Sequence, residues 1–214
     1  MATSAHKILA PEPPTDLASI PLTLSAAAST WFRLVPTPFS PLRWSRQGRY
    51  RFDSPAAKWG VCYAAESIPS AFQESWADQI RSARLDWSDL TPIIAWQSFV
   101  PPTLRTIELA GPTLTAIRGT LQCFVGNYDK SQRWGQALMA HPANLDGLQY
   151  LGRRSGRNCL ALFGDKTSPK AYQPTLRVQK LGPLVTWSQL WPFLDSIKVR
   201  IAHIPAAPPA AAWS

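Results

Sequence analysis

An α+β domain built around a twisted, largely antiparallel sheet, with about three short helices, is the fold class this sequence predicts. Three observations carry it. Short runs rich in aromatic and β-branched residues recur along the chain, whereas helix-start signals are few. The length of 214 residues, with 45% apolar and 11% aromatic content, suits one domain with a substantial core and is short for two.

The strand candidates open with WFRLVP (31–36), RYRFDS (49–54) and GVCYAA (60–65). Ser67, followed by Pro69 in the first turn, announces a helix. Its apolar positions Ala71, Phe72 and Trp76, with Ser75, leave Gln73 and Glu74 at the boundary between buried and open. IIAWQSFV (93–100), RTIELA (105–110) and TLQCFVG (120–126) read as further strands, with a bend at Gly111–Pro112. A second helix fits 130–140, where Asp129 and Gln132 resemble a capping pair. LDGLQYLG (145–152) and NCLALFG (158–164) return to strand character. RVQKLGPLVTW (177–187) joins them to a third helix, QLWPFLDSI (189–197), which Thr186 and Gln189 could cap, and a last strand, KVRIAHIP (198–205), closes the domain.

The ends differ in composition. Residues 1–28 and 205–214 are rich in Ala and Pro and lack periodicity, so they read as extensions flanking a domain over 29–204. Loose order is expected over roughly the first 15–20 residues and the last eight or so.

The formal net charge is +9 although only 16% of residues are charged, and 15 of the 22 basic residues are arginines. Arginine suits bidentate phosphate recognition. No Lys/Arg block of nucleic-acid type is present, and the densest run is Arg153, Arg154 and Arg157. Cys62, Cys123 and Cys159 are widely spaced in apolar stretches and read as buried and reduced; neither they nor His6, His141 and His203 show metal-ligand spacing. The stretch 17–29 mimics a signal-peptide core, but Glu12, Asp16 and the early prolines argue against one. With no run long enough to span a membrane, a cytoplasmic location is the plain expectation.

Arg33 in WFRLVP, the pair Arg51–Phe52, CYAAES (62–67), AFQE (71–74), YDKSQRWGQAL (128–138) and DGLQY…RNCLALF (146–163) together resemble the RES domain family. The resemblance covers about residues 31–165, with the segments in order. It implies an ADP-ribosyltransferase-like fold and a toxin that depletes NAD by hydrolysis or phosphorolysis of the nicotinamide–ribose bond. NAD is then a substrate, and no cofactor or metal is called for. The implied partner is a DNA-binding antitoxin of Xre type that covers the active site. A homodimer is left open, and neither membrane nor direct nucleic-acid binding is expected.

Within that resemblance the residues acquire a mechanism. Breaking the nicotinamide–ribose bond develops positive charge at the ribose C1, which a carboxylate stabilises. Glu74 is the candidate, and the leaving group departs neutral without a general acid. Arg33, a second catalytic candidate, and Arg51 would clamp the pyrophosphate, and Tyr63 would stack on or orient the nicotinamide or its ribose. Plainer readings stand beside these. Glu74 is a solvated carboxylate, Arg33 a structural partner of Glu74 or Asp53, Arg51 a strand-edge charge, Tyr63 a core residue, and Arg153, Arg154 and Arg157 a solvated loop.

The family pattern places a serine in a Y-x-S segment, where this chain has Tyr150-Leu151-Gly152. Gly152 therefore stands in the substrate-binding wall without a hydroxyl, and Ser155 can replace it only if the loop is displaced. Weakened or redirected activity is one expectation from this departure. Two other function classes remain. An ADP-ribosyltransferase acting on a macromolecular acceptor would share Glu74, but Phe72 sits where such enzymes often carry a second acid. A non-catalytic basic binding module would make Glu74 dispensable and binding steeply salt-dependent.

Overall fold

The computed structural model describes residues 10–28, 30–100, 103–125, 128–164, 176–207 and 209–214. Among these, strands β1 (Thr30–Pro36), β2 (Val61–Ala65), β4 (Ile93–Phe99), β5 (Thr106–Glu108), β6 (Gly147–Leu151), β7 (Asn158–Phe163) and β8 (Arg177–Pro183) form one sheet. Their spatial order is β5-β6-β7-β2-β1-β4-β8. Every neighbouring pair is antiparallel except β5 and β6. β3 (Arg84–Asp86) and β9 (Arg200–Ala202) make a separate parallel ribbon. The fold is therefore α+β with a largely antiparallel sheet.

Three helices lie close to where the periodicity predicts: α1 (Ile68–Ser75), α6 (Tyr128–Met139) and α7 (Leu190–Ser196). The expected cap forms only at α1. Asp129 sits inside the first turn of α6, Gln132 donates to Gly48 O and Tyr50 O instead, and Gln189 makes no side-chain cap bond at α7. Ser67 caps α1 by accepting from Ser70 N–H, and Pro69 occupies the first turn, where a missing N–H goes unnoticed. Four more helices have only four to six residues each: α2 (Ala77–Arg81), α3 (Trp87–Leu90), α4 (Gly111–Ala116) and α5 (Gln122–Val125).

Two expected strands are absent. Residues 49–54 form turns, because the Asp53 carboxylate accepts from Arg49 N–H and Tyr50 N–H and so takes donors a ladder would use. Residues 122–125 are helical, and the adjacent residues Cys123 and Phe124 are both buried in one core cluster. Neighbouring side chains of a strand would point to opposite faces.

β7 is the centre of the packing. Cys159, Ala161 and Phe163 join the core that holds Phe52, Ile107, Trp134 and Leu148, while Leu160 and Leu162 pack on the opposite face with Trp31, Cys62 and Leu176. That two-sided burial explains why its sequence is an unbroken apolar run. A third cluster, built on Phe72, Leu85, Leu90, Ala95, Leu184 and Leu190, lies under α1 and α7.

The ends are held more firmly than their composition suggests. Residues 1–9 lie outside the described residues. From Ala10 onward the chain straps across α6: Pro11 O accepts from Trp134 Nε1, Glu12 pairs with Arg133, and Leu17 is buried. At the other end Trp213 stacks on Trp187 with ring centroids 6.1 Å apart, and its indole N–H donates to Pro183 O.

The β3–β9 ribbon carries a charged clasp. Asp86 accepts from Ser88 N–H and Ser88 Oγ and pairs with His203, just beyond β9. The Ser88 N–H first, then the His203 ring and the Ser88 hydroxyl, lower the Asp86 carboxyl from 3.8 to about 2. A depressed carboxylate stabilises the fold above the unfolded value and loses that contribution as pH falls through the folded one. Hydrogen exchange of β9 amides is therefore expected to accelerate between about pH 4 and pH 2, and Asp86→Asn is expected to remove that acid step. An unchanged step in Asp86→Asn would exclude the clasp as its cause.

Candidate active site

The sheet divides between β1 and β2. β1 pairs with β4 along seven positions and β2 with β7 along five, but β1 and β2 share the single register pair Phe32–Ala65. Past that pair the chain leaves β1, loops out over 37–44, and returns at Ser45. There Ser45 and Val61 exchange both backbone hydrogen bonds, at 3.0 and 2.9 Å. Ser45 thus takes the place on the β2 edge that β1 has vacated. Gly60 permits the return, because a Cβ there would meet Trp44 Cβ at 2.7 Å.

A cavity of about 700 Å³ opens in this split, within the range of sites for whole small-molecule ligands. Glu74, Arg33, Arg51 and Tyr63 all line it. Four tyrosines, at 50, 63, 128 and 150, contribute to its wall, with Trp76 and Phe39. Sequence reasoning assigned no role to Tyr50, Tyr128, Tyr150, Phe39 or Cys159. Tyr128, Tyr150 and Cys159 stood inside the quoted motifs, so motif membership was the available signal for those three.

Glu74 projects from the last turn of α1 toward the loop after β6. Its Oε1 accepts from Arg154 N–H at 2.8 Å, Ser155 N–H at 3.1 Å and Ser155 Oγ at 3.2 Å. Three donors on one oxygen fix the carboxylate in place. Asp89 also lines the cavity, but its carboxylate accepts from Asp86 N–H in the capping box of α3. Glu74 is the carboxylate of this wall that no helix end uses.

Arg51 is buried, only 6% exposed; its Nη1 reaches Leu151 O at 3.3 Å and its guanidinium lies 5.1 Å from the Tyr150 ring centroid. This is a positioned cation rather than a strand-edge charge. Arg33 does not pair with Glu74 or Asp53. Its guanidinium donates to Pro41 O, Arg43 O and Cys62 Sγ, so it fastens the 40–43 loop from inside.

Tyr63 holds the loop that carries Arg51. Its hydroxyl donates to Asp53 Oδ1 at 3.0 Å and accepts from Phe52 N–H at 2.9 Å. Gln132 of α6 adds bonds to Gly48 O and Tyr50 O. Burial pushes the Asp53 carboxyl up, and burial with the adjacent Asp53 charge keeps the Tyr63 phenol far from ionising. Tyr63→Phe orphans the Phe52 N–H and one oxygen of the fully buried Asp53. A loss of about 1–3 kcal/mol in denaturant unfolding is expected, and a variant as stable as the parent would contradict this role.

Neither the cavity-lining thiol, Cys159, nor Cys62 on the other face of the sheet is set up as a nucleophile. Burial raises Cys62 despite the neighbouring Arg33, and burial with the Glu74 charge pushes Cys159 up to about 12. Among the described residues no group of three or more His, Cys, Asp and Glu side chains could hold a metal ion, and no helix is long and apolar enough to cross a membrane.

Gly152 and Ser155 meet at Glu74. A Cβ at Gly152 would stand 2.5 Å from Glu74 Oε1, 2.9 Å from Glu74 Cδ and closer still to Ser155 Oγ. The turn at 153–156, closed by Gly156 N–H to Gly152 O, brings the Ser155 hydroxyl into the space a side chain at 152 would fill. Arg153, Arg154 and Arg157 remain exposed on the outside of that turn.

Residues 23–181 match the family model described as the RES domain. Among solved structures, a chain in the crystal structure of the M. tuberculosis MbcT–MbcA toxin–antitoxin complex is similar, with a TM-score of 0.53 and 15% sequence identity. The similarity covers 82% of this chain and 91% of that chain. No curated protein matches.

Proposed function

The chain belongs to the RES domain family, and on that premise we propose that it is the toxin of a toxin–antitoxin pair, cleaving NAD at the nicotinamide–ribose bond. The observation that carries this reading is Glu74, fixed by three donors on one oxygen in a cavity that also presents Arg33, Arg51 and four tyrosines. Nicotinamide leaves with the electron pair of the C–N bond and becomes neutral, so no acid is needed. Positive charge develops on the ribose, and the Glu74 carboxylate stabilises it. Arg51, already desolvated and held by Tyr150 and Leu151 O, meets the pyrophosphate charge. Tyrosine faces take the flat nicotinamide ring. Water then adds at C1 and loses a proton, giving ADP-ribose, or phosphate adds and gives its 1-phosphate.

On this reading the Ser155 hydroxyl, 3.2 Å from Glu74 Oε1, takes the place of the family's serine beside position 152. Transfer to a macromolecule is less favoured, because Phe72 is fully buried in the core and position 72 offers nothing to an acceptor. The partner implied by the family is a DNA-binding antitoxin of Xre type seated over the cavity; the similar chain from a toxin–antitoxin complex supports an antitoxin partner as such.

The test is nicotinamide release from NAD by the purified protein, with and without phosphate. Stoichiometric ADP-ribose or its 1-phosphate supports cleavage. Absence of free nicotinamide under both conditions would exclude it.

A further inference from the structure

The loop that leaves β1 builds something the cleavage step does not require. Phe39 is 46% exposed and lines the cavity, and the Arg43 guanidinium carbon lies 3.9 Å from its ring centroid. One face of the ring is thus covered by a cation and the other is left to a ligand.

The platform is pre-organised. Thr37 N–H and Oγ1 both donate to Pro92 O, Phe39 N–H bonds to Pro36 O, and Arg43 N–H bonds to Ser40 O. Arg33 fastens Pro41 O and Arg43 O from within, and the Ser45–Val61 pair closes the far end. Such ordering before binding is what a recognition surface needs to avoid an entropy cost on association. It also gives Arg33 a role distinct from direct phosphate contact, as a positioning residue for Phe39 and Arg43.

We infer that Phe39, stacked beneath Arg43, is the platform for the second base of a dinucleotide, so that this cavity selects a dinucleotide over a nicotinamide mononucleotide. The inference rests on the NAD reading above and deepens it. A purine fits the site by chemistry: it stacks on an aromatic face, and a guanidinium on the opposite face polarises the ring without demanding a particular hydrogen-bond pattern. The cavity volume of about 700 Å³ accords with a ligand larger than one nucleotide half.

The test is equilibrium binding by calorimetry to Glu74→Gln protein, in which NAD persists, using NAD, AMP and nicotinamide mononucleotide as probes. Phe39→Ala in that background is expected to weaken NAD and AMP roughly tenfold, leaving nicotinamide mononucleotide within twofold. Phe39→Trp is expected to keep NAD and AMP binding. Because Phe39 is half exposed, its truncation leaves the core intact, and circular dichroism checks this. Unchanged NAD and AMP affinities in Phe39→Ala, or equal weakening of all three probes, would overturn the platform. NAD binding with Phe39 dependence, but no nicotinamide release by the parent protein, would remove the cleavage reading and keep the platform. Failure of all three probes to bind would remove both.

Discussion

Glu74→Gln is expected to lower nicotinamide release from NAD by about three orders of magnitude while leaving the unfolding transition in place. Glutamine keeps an oxygen where Oε1 accepts from Arg154 N–H, Ser155 N–H and Ser155 Oγ, so the α1-to-loop connection survives. The substitution removes only the negative charge. Among the described residues no donor falls on Oε2, which leaves that oxygen to face the developing ribose cation. A charge interaction that strengthens as the bond breaks appears in kcat, whereas ground-state binding appears in KM. Glu74→Gln is therefore expected to reduce kcat with KM for NAD within a few-fold. Retention of a tenth or more of the parent rate would remove Glu74 from the chemistry. A collapse in stability would show that the residue holds the fold instead.

Much of this arrangement was legible in the chain, and the reasons differ by residue. β7 could be read because two-sided burial forces an unbroken apolar run, and α1 because Ser67 and Pro69 announce it. The approach of Glu74, Arg51 and Tyr63 to one cavity was legible only through family order, since no local periodicity says that positions 51, 63 and 74 converge. The 49–54 segment was misread for an identifiable cause. Its aromatic and arginine alternation imitates a strand, but Asp53 and the Tyr63 hydroxyl satisfy its backbone donors from outside any ladder. The short helices α2 to α5 lack the length over which a 3.6-residue period can register. The split between β1 and β2 was invisible as well. It depends on Ser45 returning to Val61, a contact across 16 positions that composition does not encode.

The departure at Gly152 acquires a second reading in three dimensions. Read along the chain, glycine replaces an expected hydroxyl and implies a weakened wall. In space, glycine is what lets the hydroxyl arrive from Ser155. Gly152→Ala is therefore expected to be more damaging than a one-carbon change on a loop suggests. Its Cβ would stand 2.5 Å from Glu74 Oε1 and nearer to Ser155 Oγ, so the carboxylate, the serine or both must move. Both are side-chain tips, so the protein folds around the change, and the cost falls on the geometry of the site rather than on stability. Displacement of a catalytic group by about 1 Å can cost on the order of a hundredfold in rate. A fall in kcat of that order is expected for Gly152→Ala, with little change in unfolding temperature. Ser155→Ala, which removes one of three donors to Oε1, should lose less, around tenfold. Two measurements separate this from simple loop disruption. The Glu74→Gln/Gly152→Ala double variant should be no slower than Glu74→Gln alone, because a displaced amide has no charge left to misplace. Its affinity for NAD should stay close to that of Glu74→Gln. Full activity in Gly152→Ala would show that the loop moves aside freely and that Ser155 does not hold Glu74 in its working position.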